Sequence, residues 1–121
     1  SMRSAIENVS DYKRNKHFKK IIFLGDMLEL GSKSIKLHKE LSVTINKSDI
    51  DKVFVFGRYI KYTFKYLKKN KKGKIFNNLN EAYSHFKKAI NNNDLLMVKG
   101  SNATGMNKFS KKIKTGMVSV I

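Results

Sequence analysis

The stretch that decides the fold class is Lys19-Lys20-Ile21-Ile22-Phe23-Leu24-Gly25. It holds an apolar run from Ile21 to Leu24, with β-branched and aromatic side chains, and it closes on a glycine. A continuous apolar run of this kind, rather than an alternation of apolar and polar residues, is typical of a strand that is covered on both faces. We therefore predict a buried strand at this position.

The same pattern returns farther along the chain. Residues 52–57 read KVFVFG, a second short apolar run that ends at a glycine. Further short runs predict strands at residues 74–77, 95–98 and 117–121. Strand signals thus recur from residue 19 to the end of the chain.

Helices are predicted before and between these strands. Residues 2–14 carry apolar side chains three and four positions apart, which is the pattern of an amphipathic helix, and helices are likewise predicted over 59–67, 79–90 and about 104–114. One more helix is expected to be capped by Ser32 or Ser34 and to end near Ser48. Its predicted apolar stripe is Ile35, Leu37, His38, Leu41 and Ile45, and that of the helix over 59–67 is Tyr59, Tyr62, Thr63, Tyr66 and Leu67.

Alternation of strands and helices with short connections predicts an α/β fold. Parallel neighbours need a crossover, and a helix is the usual crossover, so we expect a three-layer, Rossmann-like domain. Its sheet should be mostly parallel, with about five or six strands, and helices should cover both faces. With 121 residues, the chain has room for one domain of ordinary size, and we treat residues 1–121 as that single domain.

Composition excludes several classes of protein. There is no cysteine, which rules out disulfide frameworks, cysteine metal sites and thiol nucleophiles. No apolar run approaches the roughly 20 residues that span a bilayer, and the first residues lack the apolar segment of a secretory signal. We expect a cytoplasmic protein without membrane insertion.

The charge is strongly basic, with 26 Lys+Arg against 9 Asp+Glu and a net charge of +17. One interpretation is compositional drift toward Lys, Asn and Ile, because Arg3, Arg14 and Arg58 are the only arginines, and arginine is preferred for reading bases and binding phosphates. The other is a nucleic-acid-binding or interaction module of Rossmann-like shape. Aromatic residues interleaved with lysines over 59–66 would suit base stacking, although their helical spacing predicts that most are core.

The first candidate site is the loop after the first strand. It reads Gly25-Asp26-Met27-Leu28-Glu29-Leu30-Gly31. Ligands of open α/β sheets bind at the carboxyl ends of the strands, where two carboxylates between glycines could hold an ammonium group. Alternatively, Asp26 and Glu29 only turn the chain and cap the next helix.

The second candidate site is the loop Val98-Lys99-Gly100-Ser101-Asn102-Ala103-Thr104-Gly105, between a strand and a helix. Backbone N–H groups at a helix start favour anions. The spacing of a P-loop is absent, however, and short loops of small residues are ordinary connectors.

Two residues are weaker candidates. Arg58 follows the second strand and would lie at the same rim, while His38 has the spacing of a partly buried packing histidine rather than of a catalytic base. His17 and His85 lack companion ligands at metal spacing, so we expect no metal site on this chain.

The sequence resembles the D-alanyl-D-alanine-adding branch of the Mur ligase family. The resemblance lies in Leu24-Gly25-Asp26-Met27-Leu28-Glu29-Leu30-Gly31, in His38 within Leu37-His38-Lys39-Glu40-Leu41, and in Met97-Val98-Lys99-Gly100-Ser101-Asn102. In addition, Ser1-Met2-Arg3-Ser4-Ala5-Ile6 resembles the end of the Asp-x-Tyr-Asn-Ala-Asn-Pro-x-Ser-Met segment that leads into the third domain of that family.

The resemblance implies a function in making the peptidoglycan precursor. In that family, ATP and Mg²⁺ convert the carboxylate of UDP-muramoyl-tripeptide to an acyl phosphate, which the amino group of D-alanyl-D-alanine attacks. The first domain holds the UDP end, the central domain holds the nucleotide, and the third domain closes over the site. The resemblance therefore implies the enzyme's own N-terminal and central domains as partners.

Carried onto this chain, the resemblance marks two groups of substrate-binding candidates. They are Asp26, Met27, Glu29, Leu30 and Gly31 in the first loop, and Lys99, Gly100, Ser101 and Asn102 in the second. Because the nucleotide-contacting motif and any phosphate-binding loop are missing from this sequence, we expect no catalytic residue, no bound ATP or Mg²⁺ and no activity in the isolated chain. We also expect a monomer without a specific nucleic-acid partner.

Overall fold

The computed structural model describes residues 1–113 and the backbone of Val118–Val120. Within that part of the chain, helices and strands alternate almost throughout. The helices are α1 (Met2–Asp11), α2 (Ser34–Asn46), α3 (Ile60–Lys65), α4 (Leu79–Ala89) and α5 (Met106–Lys112). The strands are β1 (Lys20–Gly25), β2 (Lys52–Phe56), β3 (Lys72–Ile75), β4 (Leu95–Lys99) and β5 (Val118–Val120).

The described strands form one sheet in the order β3-β2-β1-β4-β5, and every neighbouring pair is parallel. The predicted α/β class with a parallel sheet of about five strands is therefore confirmed. The strand β1 lies at the centre, and all of its residues are buried. This central place explains why its sequence is a continuous apolar run.

Helices cover both faces of the sheet, and successive residues of β1 point to opposite faces. Ile22 and Leu24 pack with α1, α2 and α3, whereas Ile21 and Phe23 pack with α4 and α5. The ring of Phe23 lies within about 6 Å of three other aromatic rings, those of Phe76, Phe86 and Phe109. The predicted three layers are thus present, with an aromatic-rich core on the side of α4 and α5.

Some local predictions were wrong. Strand β3 lies at Lys72–Ile75 rather than at residues 74–77. Neither Ser32 nor Ser34 caps α2 with its side chain, because a 3-10 turn at Gly31–Lys33 runs directly into the helix and Lys33 occupies the cap position. The last predicted strand is present in Val118–Val120, while the rest of residues 114–121 lies outside the described residues.

The side chains on two helices also depart from the predicted stripes. On α2, Ile35 is 47% exposed, and His38 is fully buried rather than partly buried. At α3, the buried residues are Ile60 and Thr63, while Tyr62 and Tyr66 are exposed. The predicted stripe is therefore confirmed at Thr63 and Leu67, which are buried, and wrong at Tyr62 and Tyr66.

The amino-terminal end of the sheet is held by charged groups. Lys20 is 1% exposed, and its ammonium donates to the carbonyl of Ser10 at 2.6 Å and pairs with Asp49 at 3.2 Å. Arg14 pairs with both Asp49 and Asp51. The hydrogen bond from Lys20 lowers the pKa of Asp49 below its usual range, and Arg14 adds to that effect against the opposing effect of burial.

Two carboxylates at this end bind the backbone where β1 begins. Asp94 accepts the N–H of Lys19 at 2.9 Å, and Asp51 accepts the N–H of Lys20 at 2.7 Å. Asp94 precedes β4 and Asp51 precedes β2. The strand is therefore anchored on both sides before its ladder of hydrogen bonds begins.

Replacing Lys20 by methionine should destabilise the protein, whereas the same change at exposed Lys19 should not. Lys20→Met leaves the Ser10 carbonyl without its donor, and we expect a loss of about 1–2 kcal/mol. Lys19→Met is the matched control and should stay within about 0.5 kcal/mol. Urea unfolding followed by circular dichroism measures both. Equal midpoints for the two variants would show that Lys20 contributes only through its aliphatic chain.

Candidate functional site

The loops that leave β1, β2 and β4 meet at the carboxyl edge of the sheet. The register pairs Gly25 of β1 with Phe56 of β2, and Leu24 of β1 with Lys99 of β4. The three central strands therefore end side by side, and their loops start next to one another. This is the edge at which open parallel sheets bind ligands.

Asp26 joins the first two of these loops. Its carboxylate accepts three backbone N–H groups, from Arg58 at 3.0 Å, Tyr59 at 2.9 Å and Ile60 at 2.8 Å. These N–H groups lie at the start of α3, where a helix has no partners of its own for them. Asp26 is 6% exposed, so its carboxylate faces the start of α3 and not solvent.

Gly57 makes this contact possible. An added Cβ atom there would lie 2.4 Å from Oδ1 of Asp26, and the residue has a φ of 147°. A side chain at this position would have to displace the carboxylate. The glycine that ends the second apolar run is thus required by the close approach of Asp26.

The loops after β1 and β4 also touch through their backbones. Ser101 donates its N–H to the carbonyl of Asp26 at 3.0 Å. A Cβ atom on Gly100 would lie 2.8 Å from Cγ of Met106 and 3.0 Å from the Cα of Gly25. The small-residue character of this loop therefore follows from tight packing against β1.

His38, which lies on α2, also holds the loop that follows β1. Its Nε2 accepts the N–H of Met27 at 3.0 Å, and its Nδ1 is 2.7 Å from the carbonyl of Ser34. These contacts assign the proton to Nδ1, since a carbonyl only accepts hydrogen bonds. The buried histidine thus positions the loop through its backbone, in a role that helical spacing did not predict.

The candidate residues fall into buried and accessible groups. Asp26 and His38 are buried, whereas Glu29, Gly31, Arg58 and Asn102 are exposed, and Met27, Leu30, Lys99, Gly100 and Ser101 are partly exposed. The capping interpretation describes Asp26, although the helix it caps is α3 and not the next one, α2. Glu29 has a φ of 63°, the left-handed region that side chains rarely adopt, and its carboxylate is the accessible one.

The second loop offers one unusual polar group. Within the described residues, the hydroxyl oxygen of Ser101 is buried without a hydrogen-bond partner. Asn102 bonds to Asn107, and Thr104 donates to the carbonyl of Ser101 at 2.7 Å. Lys99 ends β4 beside these groups and is partly exposed, so the loop presents one ammonium at the rim.

In the described part of the chain, no three histidine or carboxylate side chains converge as metal ligands. None of the helices described is both long enough and apolar enough to cross a membrane.

Comparison with known proteins identifies the family. Residues 1–102 match the family described as "Mur ligase, glutamate ligase domain". The chain belongs to the Mur ligase family. The match includes all the candidate residues of both loops.

Three curated relatives share one name, UDP-N-acetylmuramoyl-tripeptide–D-alanyl-D-alanine ligase. The protein of Rickettsia prowazekii (strain Madrid E) is 32% identical over 108 residues, which are 89% of this chain and 23% of the relative. That of Buchnera aphidicola subsp. Baizongia pistaciae (strain Bp) is 33% identical over 93 residues, 77% of this chain and 18% of the relative. That of Bacillus subtilis (strain 168) is 40% identical over 58 residues, 48% of this chain and 12% of the relative. The chain thus spans less than a quarter of the length of these relatives.

Changing Asp26 to asparagine should destabilise the protein. One oxygen becomes an NH₂ group that must face a backbone N–H, and we expect a loss of about 1–3 kcal/mol. Glu29→Gln, in the same loop but exposed, serves as the control and should change stability by less than about 0.5 kcal/mol. Thermal or urea unfolding measures both. If Asp26→Asn were as stable as the unchanged chain, the three hydrogen bonds would not hold the loop.

Proposed function

We propose that this chain is the third domain of an ATP-dependent ligase that adds D-alanyl-D-alanine to UDP-N-acetylmuramoyl-tripeptide. The observation that carries the proposal is the 32% identity over 108 residues to the ligase of Rickettsia prowazekii. Two other relatives with the same name match 93 and 58 residues of the chain, which supports the same assignment. The enzyme would act in peptidoglycan precursor synthesis in the bacterial cytoplasm, and we propose that it is a monomer.

The proposed task of this domain is to close over the reacting groups and help to place the dipeptide. The loop over residues 25–31 and the loop over residues 99–102 lie at one edge of the sheet, where they form a single face. A rigid face of this kind lowers the entropy cost of aligning nucleophile and electrophile. Asp26 and His38 are positioning residues in this proposal, because both hold loop backbone.

Glu29 and Lys99 are the proposed contacts of the loops with substrate. The exposed carboxylate of Glu29 suits the ammonium group of a dipeptide, and the ammonium of Lys99 suits a carboxylate or a phosphate. In this proposal Asp26 makes no direct contact with substrate, because its oxygens accept three backbone N–H groups. The partly exposed Met27 and Leu30 would supply apolar contact beside Glu29.

The proposed ATP and Mg²⁺ belong to other domains of the enzyme. The side chains described here offer no set of carboxylates or histidines that would hold a metal ion, and their loops lack the spacing of a phosphate-binding loop. In this proposal, the residues described here supply no metal ligand to the acyl-phosphate step. The partners of this domain would be the enzyme's own N-terminal and central domains.

The isolated chain should be inactive. Mixed with ATP, Mg²⁺, UDP-N-acetylmuramoyl-tripeptide and D-alanyl-D-alanine, it should release no phosphate and form no peptide bond above background. The full-length Rickettsia prowazekii enzyme provides the positive control under the same conditions. Product formation by the 121-residue chain alone would contradict the proposed division of labour between domains.

A domain exchange tests the proposed contacts. The corresponding domain of the Rickettsia prowazekii enzyme is replaced by this chain, and ligation of D-alanyl-D-alanine is measured. Glu29→Ala and Lys99→Ala should each lower kcat/KM for the dipeptide by about tenfold, the loss expected for one charge-assisted hydrogen bond. Lys111→Ala on the exposed side of α5 should leave it unchanged. An active chimera in which both loop variants match the control would leave these two residues without a role, while an inactive chimera of correctly folded domains would count against the function itself.

A further inference from the structure

A cleft lies on the side of the sheet that α4 covers, toward the amino-terminal ends of the strands. It has a volume of about 360 Å³ and is bounded by β1, β2, β3 and the last turns of α4. The proposed substrate loops lie at the opposite, carboxyl edge of the sheet. The cleft is therefore a separate feature from the face proposed to close over the dipeptide.

The lining of the cleft is largely apolar and partly aromatic. Phe54, Phe86, Ile21 and Ile90 contribute apolar side chains. Gly73 allows the Phe54 ring to lie where it does, since a Cβ atom there would be 2.7 Å from Cε2 and Cζ of that ring. Phe54 and Phe86 are 8% and 1% exposed and form the floor of the cleft, whereas Ile90 is partly exposed beside them.

The lining also carries positive charge without negative charge. It includes Lys19, Lys52, Lys72 and Lys74, and no aspartate or glutamate is among the described residues that line it. Lys52 donates to the carbonyl of Asn70 at 2.8 Å, and the ammonium of Lys72 lies 5.6 Å from the centre of the Phe64 ring. Lys19 and Lys74 form no ion pair within the part of the chain that the structure describes.

His85 lines the cleft beside two aromatic rings and a lysine. Its ring centre is 5.0 Å from that of Phe54 and 5.5 Å from that of Phe76. Burial, together with the charge of Lys74, lowers the pKa of His85 below its usual value of 6.5. Both effects disfavour the protonated form of His85, whereas an anion beside the ring would favour it.

We propose that this cleft binds a small aromatic anion, with its ring against Ile90 and the exposed part of Phe54 and its carboxylate or phosphate near Lys19 and Lys74. The volume is at the lower end of the range for ligand pockets, about 300–1,000 Å³, so the ligand is a small molecule. The charged groups that line the cleft are all positive and surround apolar side chains, so they select an amphipathic anion over a neutral ring or a free inorganic ion.

The probe is 2-naphthoate, compared with 2-naphthylmethanol, which has the same ring system without the charge. Both are titrated into the 121-residue chain, and amide and His85 imidazole signals are followed by NMR. Naphthoate should bind saturably and shift residues of the cleft, while the alcohol should bind at least about threefold more weakly, the effect of about one exposed charge pair. The pKa of His85, measured by pH titration, should rise when naphthoate is bound.

Three variants separate this site from general attraction to a basic protein. Lys74→Gln should weaken naphthoate binding about threefold, whereas Lys61→Gln, the same charge change on exposed α3, should not alter it. Ala89→Phe fills the cleft from an exposed position and should abolish binding without loss of stability. Equal binding of acid and alcohol, equal loss in the two lysine variants, or an unchanged pKa of His85 would each overturn the proposal.

Discussion

The carboxylate of Asp26 is the interaction on which the candidate site depends. It comes directly after the central strand and accepts three N–H groups from the chain that follows the neighbouring strand β2. Its own carbonyl accepts the N–H of Ser101, which belongs to the loop after β4. One residue therefore ties together the loops from three adjacent strands. Because the bonds run through backbone, they fix the path of the loops and leave Glu29 and Lys99 accessible.

The glycines around Asp26 follow from the same constraint. Gly57 leaves room for the carboxylate, and Gly25 and Gly100 allow the loops after β1 and β4 to approach each other closely. His38 completes the arrangement by accepting the N–H of Met27 from a helix packed behind the loop. In the sequence, residues 25–31 look like a set of ligand-binding groups. In the structure, Asp26 and Met27 form hydrogen bonds within the protein, and the accessible part of the site is the rim that contains Glu29 and Lys99.

Much of the architecture was predictable, because a strand that is buried on both faces has a continuous apolar sequence. The apolar run from Ile21 to Leu24 predicted the central strand, and the recurrence of such runs with helices between them predicted the parallel sheet. The site was harder to predict. The role of Asp26 depends on N–H groups 32 to 34 residues away, and that of His38 on a loop 11 residues away, so neither is visible in local spacing. The exposure of Tyr62 and Tyr66 was not predicted for a related reason. Contacts with α2 and β2 decide which residues of α3 are buried, and the sequence of α3 alone does not show these contacts.

Some of the lysines that make the chain basic are buried inside the protein. The interpretation of the charge as drift toward lysine applies to exposed positions, yet Lys20 and Lys71 are buried, at 1% and 9% exposure. Lys71 donates to the carbonyls of Ser48 at 2.9 Å and Ile50 at 2.6 Å, and burial, with the charge of Lys68, lowers its pKa. A buried ammonium costs free energy unless its hydrogen bonds are made, so these two lysines are structural groups that fasten the amino-terminal end of the sheet. The net charge therefore overstates the positive charge that the surface offers to a polyanion. It does not by itself favour a nucleic-acid-binding module over a domain of a ligase.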